Sequence, residues 1–573
     1  MAKLRGAQIL CESLIKEGVE VIFGFPGGAV LPLYDTLPEY PQLRHILVRH
    51  EQGAAHSADG YARASGKVGV CFATSGPGAT NLVTGIANAH LDSVPMVAVT
   101  GQVARPFIGR DAFQEIDITG ITVPITKHNY MILKAEDMAR VVKEAFHIAS
   151  TGRPGPVLLD IPKDVFDEET NYQEPDRLDL PGYAPTLEGH PLQIKKAARL
   201  INEAKRPVII AGRGIIIANA HAELKELAEK AQLPVINTLL GIGCFPETHV
   251  LSFGMLGMHG MACANLAIDA ADLIIAIGMR FDDRATARVA GFAPNAQIIH
   301  IDVDPAEIGK NLKITVPIVG DARYVLQALN QKIDSCTHTK WIHQIEEWRQ
   351  QHPLITVRAG NELLPQYIIR QIYEITKGEA TIVTGVGQHQ MWSAQHYCYD
   401  KPNSLISSGG LGTMGFELPA AIGAKVALPD EPVWAIAGDG GFQMTIQELA
   451  TIAQENLGVK IAIMNNGYLG MVRQWQEMFY DRRYTATPLA GPDFVKIAEA
   501  YGIQAIRVNK KTDVIGAIQQ AMATPDPFLI DFQIEPEENV YPMVAPGADI
   551  ADIMIDPRDQ ELVPSSSSNR DSR

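Results

Sequence analysis

Val433-Trp434-Ala435-Ile436-Ala437-Gly438-Asp439-Gly440-Gly441 and Val459-Lys460-Ile461-Ala462-Ile463-Met464-Asn465-Asn466 are the two stretches that decide the fold. Each is an apolar run that ends in polar residues. Asp439 and Asn466 are separated by the length of one strand–helix–strand unit, which brings parallel strands side by side. A carboxylate and an amide then meet at one sheet edge. Mg²⁺ takes near-octahedral oxygen ligands and often completes the set with water and the phosphates of a ligand. The glycines at 438, 440 and 441 let backbone approach such phosphates, and Phe442 to Gln454 reads as a helix whose N-terminus favours an anion. The two stretches therefore predict a diphosphate cofactor carried on Mg²⁺. Gly-Asp-Gly alone is a common turn, and the asparagine pair gives it meaning.

Working outward, short apolar runs alternate with amphipathic stretches in three α/β blocks, each reading as a doubly wound parallel sheet. The first, residues 1–165, carries Gly69-Val70-Cys71-Phe72-Ala73 and Met96-Val97-Ala98-Val99-Thr100. The second, 192–333, carries Pro207-Val208-Ile209-Ile210-Ala211-Gly212, Leu273-Ile274-Ile275-Ala276-Ile277-Gly278 and Ile298-Ile299-His300-Ile301-Asp302. The third, 363–540, holds the opening stretches, and its fold is a candidate relative of the first. Phe166 to Pro191, polar and proline-containing, reads as a linker with little to bury. A second connector, Asp334 to Glu362, includes an amphipathic helix from Trp341 to Gln350. Residues 541–573 form a tail whose serine-rich end, Ser565-Ser566-Ser567-Ser568, is expected to be disordered.

Composition fits a large enzyme: 573 residues, 46% hydrophobic and 20% charged, enough for several cores. A net charge of −16 argues against nucleic acid or an anionic membrane as partner, because phosphate binding draws on clustered Lys and Arg. The six cysteines form no Cys-x-x-Cys pair, which favours a reducing compartment without structural zinc. Met1-Ala2-Lys3-Leu4-Arg5-Gly6 runs straight into an amphipathic helix and no 18-residue apolar run occurs, so neither export nor membrane insertion is expected.

Other segments gain meaning only in combination. Arg49-His50-Glu51-Gln52-Gly53-Ala54-Ala55 follows the strand Ile46-Leu47-Val48 and opens a helix, setting Glu51 at a strand end. Taken alone, a first-turn glutamate is most often a surface residue that stabilises the helix dipole. Gly24-Phe25-Pro26-Gly27-Gly28 and Thr74-Ser75-Gly76-Pro77-Gly78-Ala79-Thr80-Asn81 are tight strand-to-helix turns. Gly385-Val386-Gly387-Gln388-His389 and Gly409-Gly410-Leu411-Gly412-Thr413-Met414-Gly415 precede the Asp439 motif. Read singly, His389 is a solvent-facing loop residue and Met414 is core packing. Trp475, in Gly470-Met471-Val472-Arg473-Gln474-Trp475-Gln476, and Phe479 one turn beyond read in isolation as a buried helix face.

Together these segments resemble the thiamine-diphosphate enzymes and, over nearly the whole chain, acetohydroxyacid (acetolactate) synthase in its biosynthetic catalytic subunit. The resemblance implies that Glu51 hydrogen-bonds N1′ of the aminopyrimidine and that Gly28 lies near the reacting carbon. It makes Asp439, Asn466 and the backbone carbonyl of Tyr468 the Mg²⁺ ligands. Val386, Gly387, Gln388, His389, Gly412, Gly438, Gly440, Gly441 and Met471 would contact the cofactor, and Met414 would be the wedge that bends it. Arg110-Asp111-Ala112-Phe113-Gln114-Glu115 is similar to the loop that supplies Phe113 and Gln114 to the active site, and Lys163 matches another site position. Trp475 would favour 2-ketobutyrate as second substrate, with Arg284 pairing to its carboxylate.

The middle block resembles the family's FAD-binding domain through Gly212, Arg213, Thr238, Leu239, Leu256, Gly257, Met258, His259, Gly278, Arg280, Asp282 and Arg284. Asp302 and Asp321 fit ribose or flavin contacts, with Arg153 joining them from the first block. No Gly-x-Gly-x-x-Gly appears, and Arg280 to Arg284 read alone is a salt-bridged loop. The implied activity is decarboxylation of pyruvate and ligation of the two-carbon unit to pyruvate or 2-ketobutyrate. That is the first common step of valine, leucine and isoleucine synthesis, with FAD doing no net redox work. The alternatives are a pyruvate oxidase, which shares fold and both cofactors, and a non-catalytic relative. A simple decarboxylase would use an adjacent histidine pair that the first block lacks. The resemblance also implies a homodimer or higher oligomer with active sites between chains, a small regulatory subunit, and a bacterial cytoplasmic or plastid location. Two positions depart from it: Ala104, where many relatives have proline, and Gly441, where serine is common. Both bear on herbicide response.

Overall fold

The computed structural model describes residues 3–175, 177–354 and 360–559. The chain folds as two compact units, one made of Met1–Pro185, Ile375–Gln390 and Ile406–Glu537, the other of Thr186–Glu374, Met391–Leu405 and Glu538–Arg573. The first unit begins with a short strand, β1 (Lys3–Arg5), and then a helix, Gly6–Lys16, where the sequence predicts a helix alone. Six parallel strands follow: β2 (Val21–Gly24), β3 (Arg44–Leu47), β4 (Gly69–Ala73), β5 (Met96–Gln102), β6 (His128–Met131) and β7 (Pro156–Pro162), in the order β3-β2-β4-β5-β7-β6. Strands β4, β5 and β7 are buried along their whole length, as expected of β-branched runs covered by helices on both faces.

The segment read as a linker is anchored. Phe166 is fully buried, β8 (Glu169–Asn171) pairs antiparallel with β1, and the Tyr183 hydroxyl bonds Lys127 Nζ at 3.1 Å and Thr151 O at 2.9 Å. The polar composition hid three well-spaced aromatic anchors, Phe166, Tyr172 and Tyr183, all packed on the first block's core.

The second unit carries β9 (Pro207–Ala211), β10 (Val235–Asn237), β11 (Ser252–Met255), β12 (Leu273–Ile277), β13 (Gln297–Asp302) and β14 (Val316–Val319), ordered β11-β10-β9-β12-β13-β14. Counted within the sheet this is 3-2-1-4-5-6, the strand order of dinucleotide-binding folds. The helix Thr339–Gln351 packs on this sheet through Trp341, whose Nε1 donates to Pro207 O at 3.0 Å.

The third sheet, again in the first unit, consists of β15 (Thr381–Thr384), β16 (Leu405–Ser407), β17 (Val433–Gly438), β18 (Val459–Asn465), β19 (Gln504–Val508) and β20 (Phe528–Gln533), ordered β16-β15-β17-β18-β20-β19. The first and third sheets thus share one internal order, 2-1-3-4-6-5, and the kinship suspected from sequence is a kinship of topology. Beyond them, β21 (Met543–Val544) and β22 (Ile553–Met554) pair antiparallel, and Val544 N donates to Met258 O at 2.8 Å in the second unit. The serine-rich end lies outside the described residues.

The two related sheets are joined through the helices Glu51–Ser65 and Glu417–Ala427. A Cβ on Gly60 would come within 2.1 Å of Ala420 O, and one on Gly423 within 1.9 Å of Ser57 O, so the helices touch backbone to backbone. Ser57 Oγ adds a hydrogen bond to Pro419 O at 2.8 Å. Buried Arg63 bonds Asp59 at 2.6 Å and Asp92 at 2.9 Å, and Asp92 also accepts the N–H groups of Gly409 and Gly410. Each charge in this dry cluster has a partner, the condition under which buried ions are tolerated. The expected helix Phe442–Gln454 is in fact three pieces, Asp439–Met444, Ile446–Glu448 and Leu449–Gln454, because the chain turns at Thr445, whose hydroxyl bonds Gly415 O.

Candidate active site

At the carboxyl edge of the third sheet, β17 and β18 pair from Val433↔Val459 to Gly438↔Met464, which sets Asp439 beside Asn466. Asp439 opens the helix Asp439–Met444 and is buried, and its Oδ2 has no hydrogen-bond partner. Burial pushes its carboxyl up to about 7, a position that a bound cation would reverse. Asn466 Oδ1 accepts the Tyr468 N–H at 3.0 Å, and its Nδ2 donates to Gln388 Oε1 at 3.3 Å, while Gln388 Nε2 bonds Gln474 Oε1 at 2.9 Å. An orphaned carboxylate oxygen, an amide and the carbonyl of the same turn suit a hard cation.

Glycines make room around these groups. The His389 ring lies 3.0 Å from a Cβ built on Gly438 and 3.1 Å from one on Gly387, and a Cβ on Gly470 would collide with Gln388. Gly387 has φ +148 and Gly412 φ +77, values that favour glycine, and nothing stands within 4 Å of a Cβ on Gly412. His389 is not on a solvent-facing loop: it lies buried in the helix Gln388–His396, and burial lowers it to about 3, so its ring is neutral. Val386 is half-buried in the same turn. Met414 Cε comes within 3.7 Å of a Cβ on Gly440, alongside Leu469 and Leu489, which puts Met414 over the Asp439 turn.

The helix Gly470–Phe479 reverses the simple reading of its faces. Its buried members are Arg473, paired with Glu477 at 2.7 Å, and Gln474, whereas Trp475 is only partly buried and Phe479 is 39% exposed. Their rings meet edge to face at 5.6 Å. Met471 shares the half-covered side.

In the first sheet Glu51 begins the helix Glu51–Ser65 after the cap residue His50, and is 8% exposed, which removes the surface-residue reading. Asn81 Nδ2 donates to Glu51 Oε2 at 2.9 Å, and Gly78 approaches Oε1. Glu448, from the third block, accepts the N–H groups of Arg49 and His50 at 3.1 Å and the Thr451 hydroxyl at 2.7 Å, fixing the turn that carries Glu51. Gly28 faces open space, and Ala29 N bonds Thr74 Oγ1 across the neighbouring turn. Gln114, at φ 62, packs on Gly76, whose φ is +60. Phe113 beside it is 89% exposed. Their loop is tied down by Gln102, which donates to Ile116 O at 2.8 Å and to Asp160 at 3.0 Å, and by Glu115, which accepts Ala112 N. Lys163 is exposed at the end of β7, and Arg153 donates to Ser93 Oγ at 2.9 Å.

In the second unit the turns after β9 and β12 interlock. A Cβ on Gly212 would lie 2.2 Å from Gly278 O, Gly214 N bonds that same oxygen at 3.1 Å, and Gly278 has φ +59. Thr238 N bonds Ala211 O, and Leu239 begins the next turn. Met258 N bonds Arg284 O at 2.8 Å, a Cβ on Gly257 would clash with that carbonyl, and Leu256 and His259 are buried around it. Arg280–Asp282 and Arg284–Asp283 are long pairs at 4.0 and 3.5 Å, so the loop is not held as a salt-bridged one. Asp282 instead caps the helix Asp283–Thr286, Asp321 caps Ala322–Asn330, and Asp302 accepts Asp304 N at 2.9 Å. Arg213, Gly212 and Gly278 thus line the point where the strand order reverses, the place where such sheets take nucleotides.

Sequence reasoning did not single out Glu448, Asn81's role or Glu417. An acid within Phe416-Glu417-Leu418-Pro419-Ala420-Ala421-Ile422 was the available signal for the last.

Residues 4–121, 194–329 and 385–532 match the N-terminal TPP-binding, central and C-terminal TPP-binding domains of the thiamine pyrophosphate enzymes. The chain is 52% identical over 560 residues to the acetolactate synthase of Mycobacterium bovis, covering 96% of this chain and 91% of that one. It is 51% identical over 563 residues to the acetolactate synthase large subunit of Corynebacterium glutamicum, covering 96% and 90%. The large subunit from Porphyra purpurea is 51% identical over 555 residues, covering 95% and 94%.

Asp439→Ala is expected to abolish Mg²⁺-dependent binding of thiamine diphosphate with little loss of fold. Titration calorimetry with circular dichroism checks this, and tight binding by the variant would remove Asp439 from the metal site.

Proposed function

Since the chain belongs to the acetolactate synthase large subunits, thiamine-diphosphate enzymes, we propose that its active site joins Asp439, Asn466 and the Tyr468 carbonyl, holding Mg²⁺ and the diphosphate, to Glu51 at the pyrimidine. The observation that carries this is the buried Asp439 Oδ2 with no partner, at a glycine-walled turn beside Asn466. Bound thiamine diphosphate supplies the nucleophilic carbon and the electron sink that the side chains of a protein lack.

The chain's own residues orient and exclude. Glu51, held by Asn81 and by the Glu448-fixed turn, shares a proton with N1′ of the pyrimidine. Met414 supports the cofactor from below. Phe113, Gln114, Gly28 and Lys163 bound the place where pyruvate loses CO₂, and Trp475, Phe479 and Arg284 receive the second 2-keto acid, pyruvate or 2-ketobutyrate, with Arg284 as partner of its carboxylate. Gly212, Arg213, Thr238, Leu239, Leu256 to His259, Gly278, Arg280, Asp282, Asp302 and Asp321 hold FAD with Arg153, a reading supported by the dinucleotide-type strand order. FAD does no net redox work in the ligation.

Glu51 and Asp439 act together across a subunit interface, in a homodimer or larger assembly, with a small regulatory subunit as further partner. Phe107 at 55% and Phe113 at 89% exposure, with Met444, Val472 and Tyr480 also open, support burial by a second copy of the chain. Among the described residues no helix is long and apolar enough to cross a membrane. A bacterial cytoplasm or a plastid stroma is the setting we assign.

Two experiments test this reading. Glu51→Gln and Asp439→Ala, each inactive alone, are expected to regain about a quarter of wild-type activity when coexpressed, because a mixed dimer contains one intact site. A mixture as inactive as its components would place both residues in one chain's site. Trp475→Leu is expected to shift products toward 2-acetolactate when pyruvate and 2-ketobutyrate compete, and an unchanged product ratio would make Trp475 a packing residue only.

A further inference from the structure

Glu417, in the first unit, is an isolated acid. It is fully buried, and neither carboxyl oxygen has a hydrogen-bond partner. An unsatisfied buried polar group is costly and calls for an explanation. Its place supplies one. Glu417 opens the helix Glu417–Ala427, and its side chain reaches between two turns: Oε2 lies 1.8 Å from a Cβ built on Gly385, after β15, and Oε1 lies 2.8 Å from one built on Gly441, after β17. Strands β15 and β17 are adjacent, but the chain leaves β15 toward β16 and leaves β17 toward β18. The two turns therefore part at a topological switch point, the crevice where open parallel sheets of this order take phosphate-bearing ligands. Gly385 and Gly441 are glycines because Glu417 fills the space their side chains would need. Any side chain at 441 would press against its carboxyl.

We propose that Glu417, as a neutral carboxylic acid, donates a hydrogen bond to the diphosphate end of the cofactor. A carboxylate oxygen can only accept and so cannot bond a phosphate oxygen, whereas an acid O–H can donate to one. Burial favours that neutral form, pushing the group up to about 7.

The inference rests on the seating of the diphosphate proposed above, and the experiment separates the two. Titration calorimetry with thiamine diphosphate and Mg²⁺ is run on the wild-type chain, Glu417→Gln and Glu417→Met, with inorganic pyrophosphate as competitor and thermal melts to confirm folding. Glutamine keeps a donor and is expected to bind within about threefold of wild type. Methionine removes it and is expected to weaken both thiamine diphosphate and pyrophosphate about tenfold or more, the size of a lost hydrogen bond to a charged group. Equal binding by wild type and Glu417→Met overturns the proposal, as does equal weakening of both variants, which would require a carboxylate, or weakening toward thiamine diphosphate with none toward pyrophosphate. Failure of the wild-type chain itself to bind overturns the seating instead.

Discussion

Backbone contact between the helices Glu51–Ser65 and Glu417–Ala427 is the constraint on which the first unit depends. With Gly60 under Ala420 O and Gly423 under Ser57 O, no side chain fits at either crossing point, so two sheets of the same strand order are locked at one separation. The helices carry chemistry as well as packing. One starts at Glu51, the other at Glu417 beside the Gly385 and Gly441 turns. Near the end of the first helix Arg63 pairs with Asp59 and Asp92 and lies over Phe416, just before the start of the second, and Asp92 grips the backbone of Gly409 and Gly410 ahead of Met414. A shift of either helix would move Glu51 or Glu417.

The division of labour between sheets follows from topology. In each of the three sheets the strand order reverses beside its first strand, and that reversal is lined by glycine turns: Gly27 and Gly28 with the Thr74 turn, Gly212 with Gly278, and Gly385 and Gly387 with Gly438 to Gly441. Close approach of backbone to a ligand is what glycine permits at such points. An acid held at the first reversal and an orphaned carboxylate at the third are the two ends of the carboligation site proposed here. The middle reversal is where a nucleotide fits.

The strands were legible almost to the residue, because fully buried parallel strands read as unbroken apolar runs: Gly69–Ala73 and Pro207–Ala211 were predicted in place. The juxtaposition of Asp439 and Asn466 was legible because two apolar runs one strand–helix–strand unit apart pair in parallel. What escaped depended on partners distant in sequence. Phe166 and Tyr183 are anchors only because Lys127, Thr151 and the first core lie beneath them. The break at Thr445 depends on Gly415, thirty residues earlier. Trp475 and Phe479 have helical spacing that fits a core as well as a pocket, and only the burial of Arg473 and Gln474 instead decides which face they occupy. The nucleotide-type order of the middle sheet carries no local motif and became visible only as strand pairing.

The central claim is that this chain ligates two 2-keto acids, and that the flavin proposed for its middle sheet moves no net electrons. It is tested most directly by incubating the chain with pyruvate, 2-ketobutyrate, Mg²⁺, thiamine diphosphate and FAD, identifying the products and following oxygen uptake together. Acetohydroxyacids without oxygen consumption are the predicted result. Peroxide with acetate or acetyl phosphate would contradict the account and make the chain an oxidase.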